Sequence, residues 1–296
     1  MTDRSVMRAW LVALFVLCVG CAPDEGEGES AEQAEAQSSD SQEVDRLPDA
    51  QDLAQQVVPT PGVPTLWLAG DSTVQTYKAD QAPMEGWGQR IGEFFDRTLT
   101  VNNQALGGRS TRTFMFNNVA CVNGRVTYTG GKPDEKGTRW ERIKQNIRAG
   151  DFLMIQFGHN DNGTVCERHV DLPEFKKNLA TMVAMARGKS ATPILITPMS
   201  QLKNENGQLK ATLGNYAAAV KEVAVAEKVE VVDLNALSIA YYRKLGVNGA
   251  KQLFMPNETT HFVKKGAVEL SRLITDDLRR QALPIATHLK KEVAAR

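Results

Sequence analysis

The chain has 296 residues, 42% hydrophobic, 24% charged and 6% aromatic, with 35 basic and 35 acidic side chains. That balance excludes a chain disordered throughout and a membrane-embedded bundle; 23 Gly, 12 Pro and 4 Cys exclude collagen-like, Pro-rich and small disulfide-scaffold classes. The charge is unevenly spread: Ala22 to Thr60 holds eleven acidic residues against Arg46 alone, whereas Pro61 to Arg296 holds 32 basic against 23 acidic. A positive excess can concentrate anionic partners such as acidic polysaccharide. No Lys/Arg run of the nucleic-acid type accompanies it, so no nucleic-acid partner is expected, and a solvated mixed surface explains the excess equally well.

Arg4 and Arg8 precede a twelve-residue apolar run, Ala9 to Gly20. It is shorter than the roughly 20 residues of a spanning helix and suits an export signal. The run ends Cys18-Val19-Gly20-Cys21, which resembles a bacterial lipobox and implies a lipid anchor on Cys21, with Ala22 suiting the outer membrane; an ordinary signal with an incidental cysteine is the alternative. From Ala22 to about Gly62 the chain is acidic and polar without a sustained apolar period, so it buries too little surface to offset its ordering entropy. Residues 1–20 therefore read as a signal peptide, 21–62 as anchor and linker, and 63–296 as one domain at the bacterial cell envelope. Cys121 and Cys166 are the thiols left to that domain; an oxidising compartment suggests one bridge between two loops, or two free thiols.

Short apolar runs then alternate with stretches of helical period. Strands are predicted at Thr65 to Ala69, Leu99 to Asn102, Phe152 to Phe157, Pro193 to Thr197 and Val229 to Leu234. Helices are predicted at Gly88 to Asp96, Thr138 to Arg148, Leu172 to Arg187, Leu213 to Glu227, Ser238 to Lys244 and Lys264 to Arg280. This order predicts an α/β fold, a five-stranded parallel sheet with helices on both faces. Reactive groups of such a sheet gather beyond the carboxyl ends of its strands.

Those positions are polar. Gly70-Asp71-Ser72-Thr73 follows the first strand, Gly107-Gly108-Arg109-Ser110 the second and Gly158-His159-Asn160-Asp161 the third; Glu258-Thr259-Thr260-His261 precedes the last helix. A serine hydroxyl becomes a nucleophile when a base removes its proton, and histidine is the side chain tuned for this near neutral pH. Ser72 and His261 fill those roles. An acid on the other imidazole nitrogen stabilises the imidazolium, and Glu258 is the candidate by spacing. Asp233, at a strand end, is a rival acid, and a cap for the following turn is its simpler reading.

Together with Gly86-Trp87-Gly88 and Thr260-His261-Phe262, these blocks resemble the SGNH (GDSL-type) hydrolases, and within them the rhamnogalacturonan acetylesterase-like branch, over roughly Leu66 to Ile274. The resemblance implies a three-layer α/β/α sandwich of flavodoxin-like architecture. It implies a carbohydrate acetylesterase that deacetylates a pectic or related polysaccharide through an acyl-enzyme. It also implies an oxyanion hole from the N–H groups of Ser72 and Gly108 and the side-chain amide of Asn160. One departure stands out: the family places Asp three residues before the histidine, and Glu258 is one methylene longer. It reaches the imidazole after a backbone adjustment, contributes little, or marks a copy without activity.

Other residues carry double readings. Trp87 either starts a helix with a buried indole or stacks on a sugar. Arg109 and Arg112 either face a galacturonate carboxylate through paired N–H donors or are solvated. His159 either shapes its loop or touches substrate. No HExxH or paired-cysteine spacing exists, so neither metal nor cofactor is implied. A lipase or lysophospholipase on long acyl chains is a second reading, though no apolar lid accompanies the serine; a glycan-binding lipoprotein without turnover is a third.

Overall fold

Thr65–Gly70 (TLWLAG) is buried along its whole length, the state expected of an apolar run covered on both faces. In this computed structural model, which describes residues 62–116, 118–128 and 139–291, it is β1, a central strand. The signal run, Cys21 and the acidic segment lie outside the described residues. The other strands of the sheet are β2 (Thr100–Asn103), β3 (Phe152–Gln156), β4 (Thr192–Ile196) and β5 (Glu230–Val232). They pair in the order β5-β4-β3-β1-β2, all parallel.

Side chains alternate across the sheet, so each face has its own core. Leu66, Leu68, Met154 and Ile194 pack with Leu270, Ile274 and Leu278 of helix Lys264–Arg280. Trp67, Ala69, Leu153 and Ile155 pack on the other face with Phe175, Leu179 and Met182 of helix Leu172–Gly188. The result is the three-layer α/β sandwich that the sequence predicts. Each fully buried Leu or Ile contributes about 1.5–3 kcal/mol. Helix Leu172–Gly188 starts where Asp171 accepts the Glu174 N–H at 2.8 Å, with Pro173 in its first turn.

β1 is followed in the chain by β2 on one side of it, and then by β3 on the other. The strand order therefore switches between β1 and β3, and the crevice beyond their carboxyl ends is where such sheets hold reactive groups. Ser72 follows β1 by two residues and Asn160 follows β3 by four.

Two hairpins depart from the predicted elements. Val119–Val122 pairs with Arg125–Tyr128, and Lys203–Glu205 with Gln208–Lys210, all antiparallel. Their two-residue turns, Asn123-Gly124 and Asn206-Gly207, have positive φ at both positions, the geometry that matches strand twist. The helix predicted from Ser238 to Lys244 instead starts at Leu234, where Asp233 caps it through the Ala236 N–H, and the helical stretch Leu234–Lys251 is two helices that meet at a kink at Gly246 (φ 69°). In the first hairpin, Cys121 is bonded to Cys166, with Cα atoms 5.9 Å apart. Closing a segment of 45 residues restricts the unfolded chain. Replacing both cysteines by serine is therefore expected to lower unfolding free energy by roughly 2–4 kcal/mol. Urea denaturation measures this, and an unchanged midpoint at equal slope contradicts it.

Candidate active site

The turn after β1 is tied down by its own residues. Asp71 Oδ1 accepts the Thr73 N–H at 2.9 Å and its hydroxyl at 2.7 Å, while the Asp71 carbonyl accepts the N–H groups of Val74 and Gln75. Tyr77 donates its hydroxyl to the Ser72 carbonyl at 2.9 Å. The Thr73 carbonyl accepts the Trp87 N–H at 2.9 Å, drawing residues 86–88 onto this turn. The approach is so close that a Cβ on Gly88 would lie 2.4 Å from the Val74 carbonyl oxygen, which explains the glycine there.

The histidine arrives from a distant segment. Phe262–Val263 pairs antiparallel with Met84–Glu85, which fixes residue 261 beside the same turn. The Thr259 carbonyl accepts the Leu202 N–H at 2.8 Å, and the Thr260 hydroxyl accepts from Gln201 Nε2 at 2.7 Å. His261 Nε2 lies 3.1 Å from Ser72 Oγ, and Nδ1 lies 2.6 Å from Glu258 Oε2. The hydrogen bond from His261 holds the Glu258 carboxyl below the usual carboxylate range, against the opposing effect of partial burial. An ionised carboxylate only accepts, so Nδ1 carries the proton and the Nε2 lone pair faces the serine hydroxyl. The extra methylene of glutamate is thus accommodated.

The other two blocks are tied to each other. Asn160 Nδ2 gives one hydrogen to the Arg109 carbonyl at 3.1 Å, which orients the amide and leaves its second hydrogen. Gly108 has φ +67°, and a Cβ there would meet the buried Arg168 guanidinium at 3.1 Å. Among the described residues no acceptor takes the N–H of Ser72 or of Gly108. The arrangement joins a serine hydroxyl, an imidazole and a carboxylate in one chain of contacts, and the Asn160 amide is tied to the segment that carries Gly108.

A model of the GDSL-like Lipase/Acylhydrolase family matches residues 68–267. The chain belongs to this family. Its relationship is to the rhamnogalacturonan acetylesterase branch. The probable rhamnogalacturonan acetylesterase YesY of Bacillus subtilis (strain 168) is 35% identical over 233 residues, covering 77% of this chain and 98% of the relative. The rhamnogalacturonan acetylesterase RhgT of the same organism is 34% identical, covering 76% and 93%. Among solved structures, YxiM from Bacillus subtilis aligns with a TM-score of 0.62 at 30% identity, over 75% of this chain. This chain spans 58% of that structure. A catalytic mutant of an acetylxylan esterase from Geobacillus stearothermophilus, 19% identical with a TM-score of 0.51 over 73% of this chain and 93% of the mutant, shares the fold.

Burial and hydrogen bonding separate the alternative readings of the other residues in this GDSL-like chain. Trp87 is 1% exposed and its indole donates to Gln156 Oε1 at 2.8 Å, so its ring belongs to the core and offers no face to a sugar. Arg112 is buried with Nε and Nη2 on the Glu174 carboxylate and Nη1 on the His169 carbonyl, so it is committed to holding loops together. Asp233 accepts from Thr197 Oγ1 at 3.1 Å, caps Ala236 and pairs with Lys221 at 2.8 Å, away from His261. His159 turns inward, its side chain only 6% exposed and its Nδ1 3.3 Å from Asp71 Oδ2. Arg109 is half-buried, and its carbonyl accepts from Asn160 Nδ2.

Sequence patterns gave no warning of Asp161 as a titrating group. Its Oδ1 accepts the N–H and hydroxyl of Thr111 at 2.9 and 2.6 Å, while Oδ2 is buried without a hydrogen-bond partner among the described residues. Burial pushes this carboxyl up to about 7; the Thr111 hydrogen bonds oppose the rise and the negative Asp71 adds to it. In the unfolded chain an aspartate titrates near about 3.9. The folded state therefore binds the extra proton between those values, and this group's stabilisation is full below about pH 4 and falls as pH rises to about 7. Calorimetry from pH 5 to 8 is expected to show the melting-temperature advantage of wild type over Asp161→Asn shrinking as pH rises. A constant or growing difference contradicts it.

Proposed function

We propose that this chain is a serine esterase that removes O-acetyl groups from an acetylated polysaccharide of the rhamnogalacturonan type, through an acyl-enzyme. The observation that carries this is the continuous relay from Ser72 Oγ through His261 to Glu258, at 3.1 and 2.6 Å. His261 Nε2 takes the serine proton as Oγ attacks the acetyl carbonyl carbon. The charge gathering on the carbonyl oxygen is met by the N–H groups of Ser72 and Gly108 and by Asn160 Nδ2. His261 then passes its proton to the departing sugar oxygen, leaving acetyl on Ser72. Water repeats the sequence: it loses a proton to His261, attacks the acyl carbon and releases acetate, and the proton returns to Oγ.

The substrate class rests on the rhamnogalacturonan acetylesterases to which the chain is similar. Arg109, half-buried and next to Gly108 in the chain, is the residue we assign to a uronate carboxylate. An export signal ending at Cys21 fits an enzyme lipid-anchored at the bacterial cell envelope, where polysaccharide is met outside the cytoplasm.

Acetate release from acetylated rhamnogalacturonan, acetylated xylan and other acetylated glycans, beside hydrolysis of p-nitrophenyl esters of increasing chain length, tests this reading. The expected result is release from the pectic glycan above the others and a preference for acetyl over longer acyl chains. A preference for long chains supports the lipase reading instead, and no turnover of any ester supports the glycan-binding one.

A further inference from the structure

We propose that Asp71 and His159 form a clasp that sets the spacing between two oxyanion donors, the Ser72 N–H and Asn160 Nδ2. The inference rests on the serine-esterase reading above and adds to it two positioning residues that touch no substrate. Each member of the pair immediately precedes a donor residue, Asp71 before Ser72 and His159 before Asn160. The two donors stand on segments that leave adjacent strands, and the last register pair between those strands is Gly70 with Gln156. Beyond that pair, side chains carry the link: Gln156 Nε2 donates to Thr73 Oγ1 at 2.7 Å, and His159 Nδ1 meets Asp71 Oδ2 at 3.3 Å.

The chemistry of the contact is directional. Asp71 is wholly buried, and Oδ1 is saturated by Thr73, so only Oδ2 remains to face His159. Among the described residues, Asp71 Oδ2 and both His159 ring nitrogens are buried polar atoms without an aligned hydrogen bond. Leaving a buried carboxylate oxygen unmatched is costly, so the pair has a strong tendency to close. At 3.3 Å the contact is made but not aligned, the state of many catalytic hydrogen bonds before charge develops on the substrate. Closing it draws the segments of Ser72 and Asn160 together. Donor placement decides how much transition-state charge is stabilised, and an error of about 1 Å costs on the order of 100-fold in rate.

The test is a double-mutant cycle on the full chain with p-nitrophenyl acetate, recording kcat, KM and melting temperature. His159→Ala is expected to lower kcat by about 30-fold with KM within about threefold of wild type. His159→Asn, whose amide N–H replaces the Nδ1 donor, is expected to recover at least about tenfold of that loss. In the Asn160→Ala background, His159→Ala is expected to cost less than about threefold, because the donor it positions is gone. A wild-type kcat in His159→Ala overturns the clasp, as does an undiminished loss in the Asn160→Ala background, or an Asn variant no better than Ala at equal melting temperature. If His159→Ala does not fold, Asp71→Asn takes its place in the cycle with the same expectations. Wild-type turnover by Asn160→Ala or Ser72→Ala would instead refute the underlying site assignment, so the two failures are distinguishable.

Discussion

Ser72→Ala is expected to lower kcat on p-nitrophenyl acetate by about 10⁴- to 10⁶-fold, or about 5–8 kcal/mol of barrier. The size follows from what is lost. Without Oγ no acyl-enzyme forms, and the remaining amide donors can only polarise the ester toward attack by water, which retains a small part of the acceleration. His261 still has its acid at 2.6 Å, but nothing stands 3.1 Å from Nε2 to be deprotonated. Stability should change little, because the hydroxyl's contact is with His261 and the turn is held instead by Asp71, Thr73 and Tyr77. Purified variant and wild type, compared at equal melting temperature, give the measurement. A loss smaller than about 100-fold would mean that another nucleophile does the chemistry.

The central sheet was legible because burial on both faces leaves unbroken apolar runs such as Leu66-Trp67-Leu68-Ala69, bounded by polar turns. The candidate site was legible for two local reasons: Ser72, Gly108 and Asn160 lie in short loops just past strand ends, and Glu258 and His261 stand three positions apart before the last helix. The hairpins were missed although each carries Asn-Gly at its tip, since neither Val119–Val122 nor Lys203–Glu205 has the apolar alternation of a half-buried strand. Their signal was in the turn chemistry alone. Trp87 shows a different limit. An indole flanked by two glycines reads equally as a surface platform or as packing; what decides is Gln156, 69 positions away, whose side chain accepts the indole N–H. Likewise no spacing rule links Asp71 to His159, because that contact exists only once β1 and β3 lie side by side.

Glu258→Gln is expected to lower kcat by about 10³- to 10⁴-fold, the second largest effect in the molecule. The amide keeps the shape of the side chain but lacks the charge that stabilises the imidazolium, and its N–H₂ end favours the tautomer with the proton on the wrong nitrogen. Glu258→Asp is the more discriminating change. The backbone here is set by the Glu258 N–H on the Met255 carbonyl at 3.1 Å and by Asn257 in the left-handed region (φ 61°). In this frame the longer side chain bridges to Nδ1 at 2.6 Å. Removing one methylene withdraws the carboxylate by about 1.5 Å, beyond hydrogen-bond reach, so even the family's usual residue is expected to cost about 10- to 100-fold at this position. Asp233→Asn should stay within about threefold of wild type, because its carboxylate is spent on Thr197, Ala236 and Lys221. A Glu258→Gln enzyme within about fivefold of wild type would show that the imidazole is oriented by something other than this acid, and a Glu258→Asp enzyme as fast as wild type would show that the reach of the longer side chain is not needed.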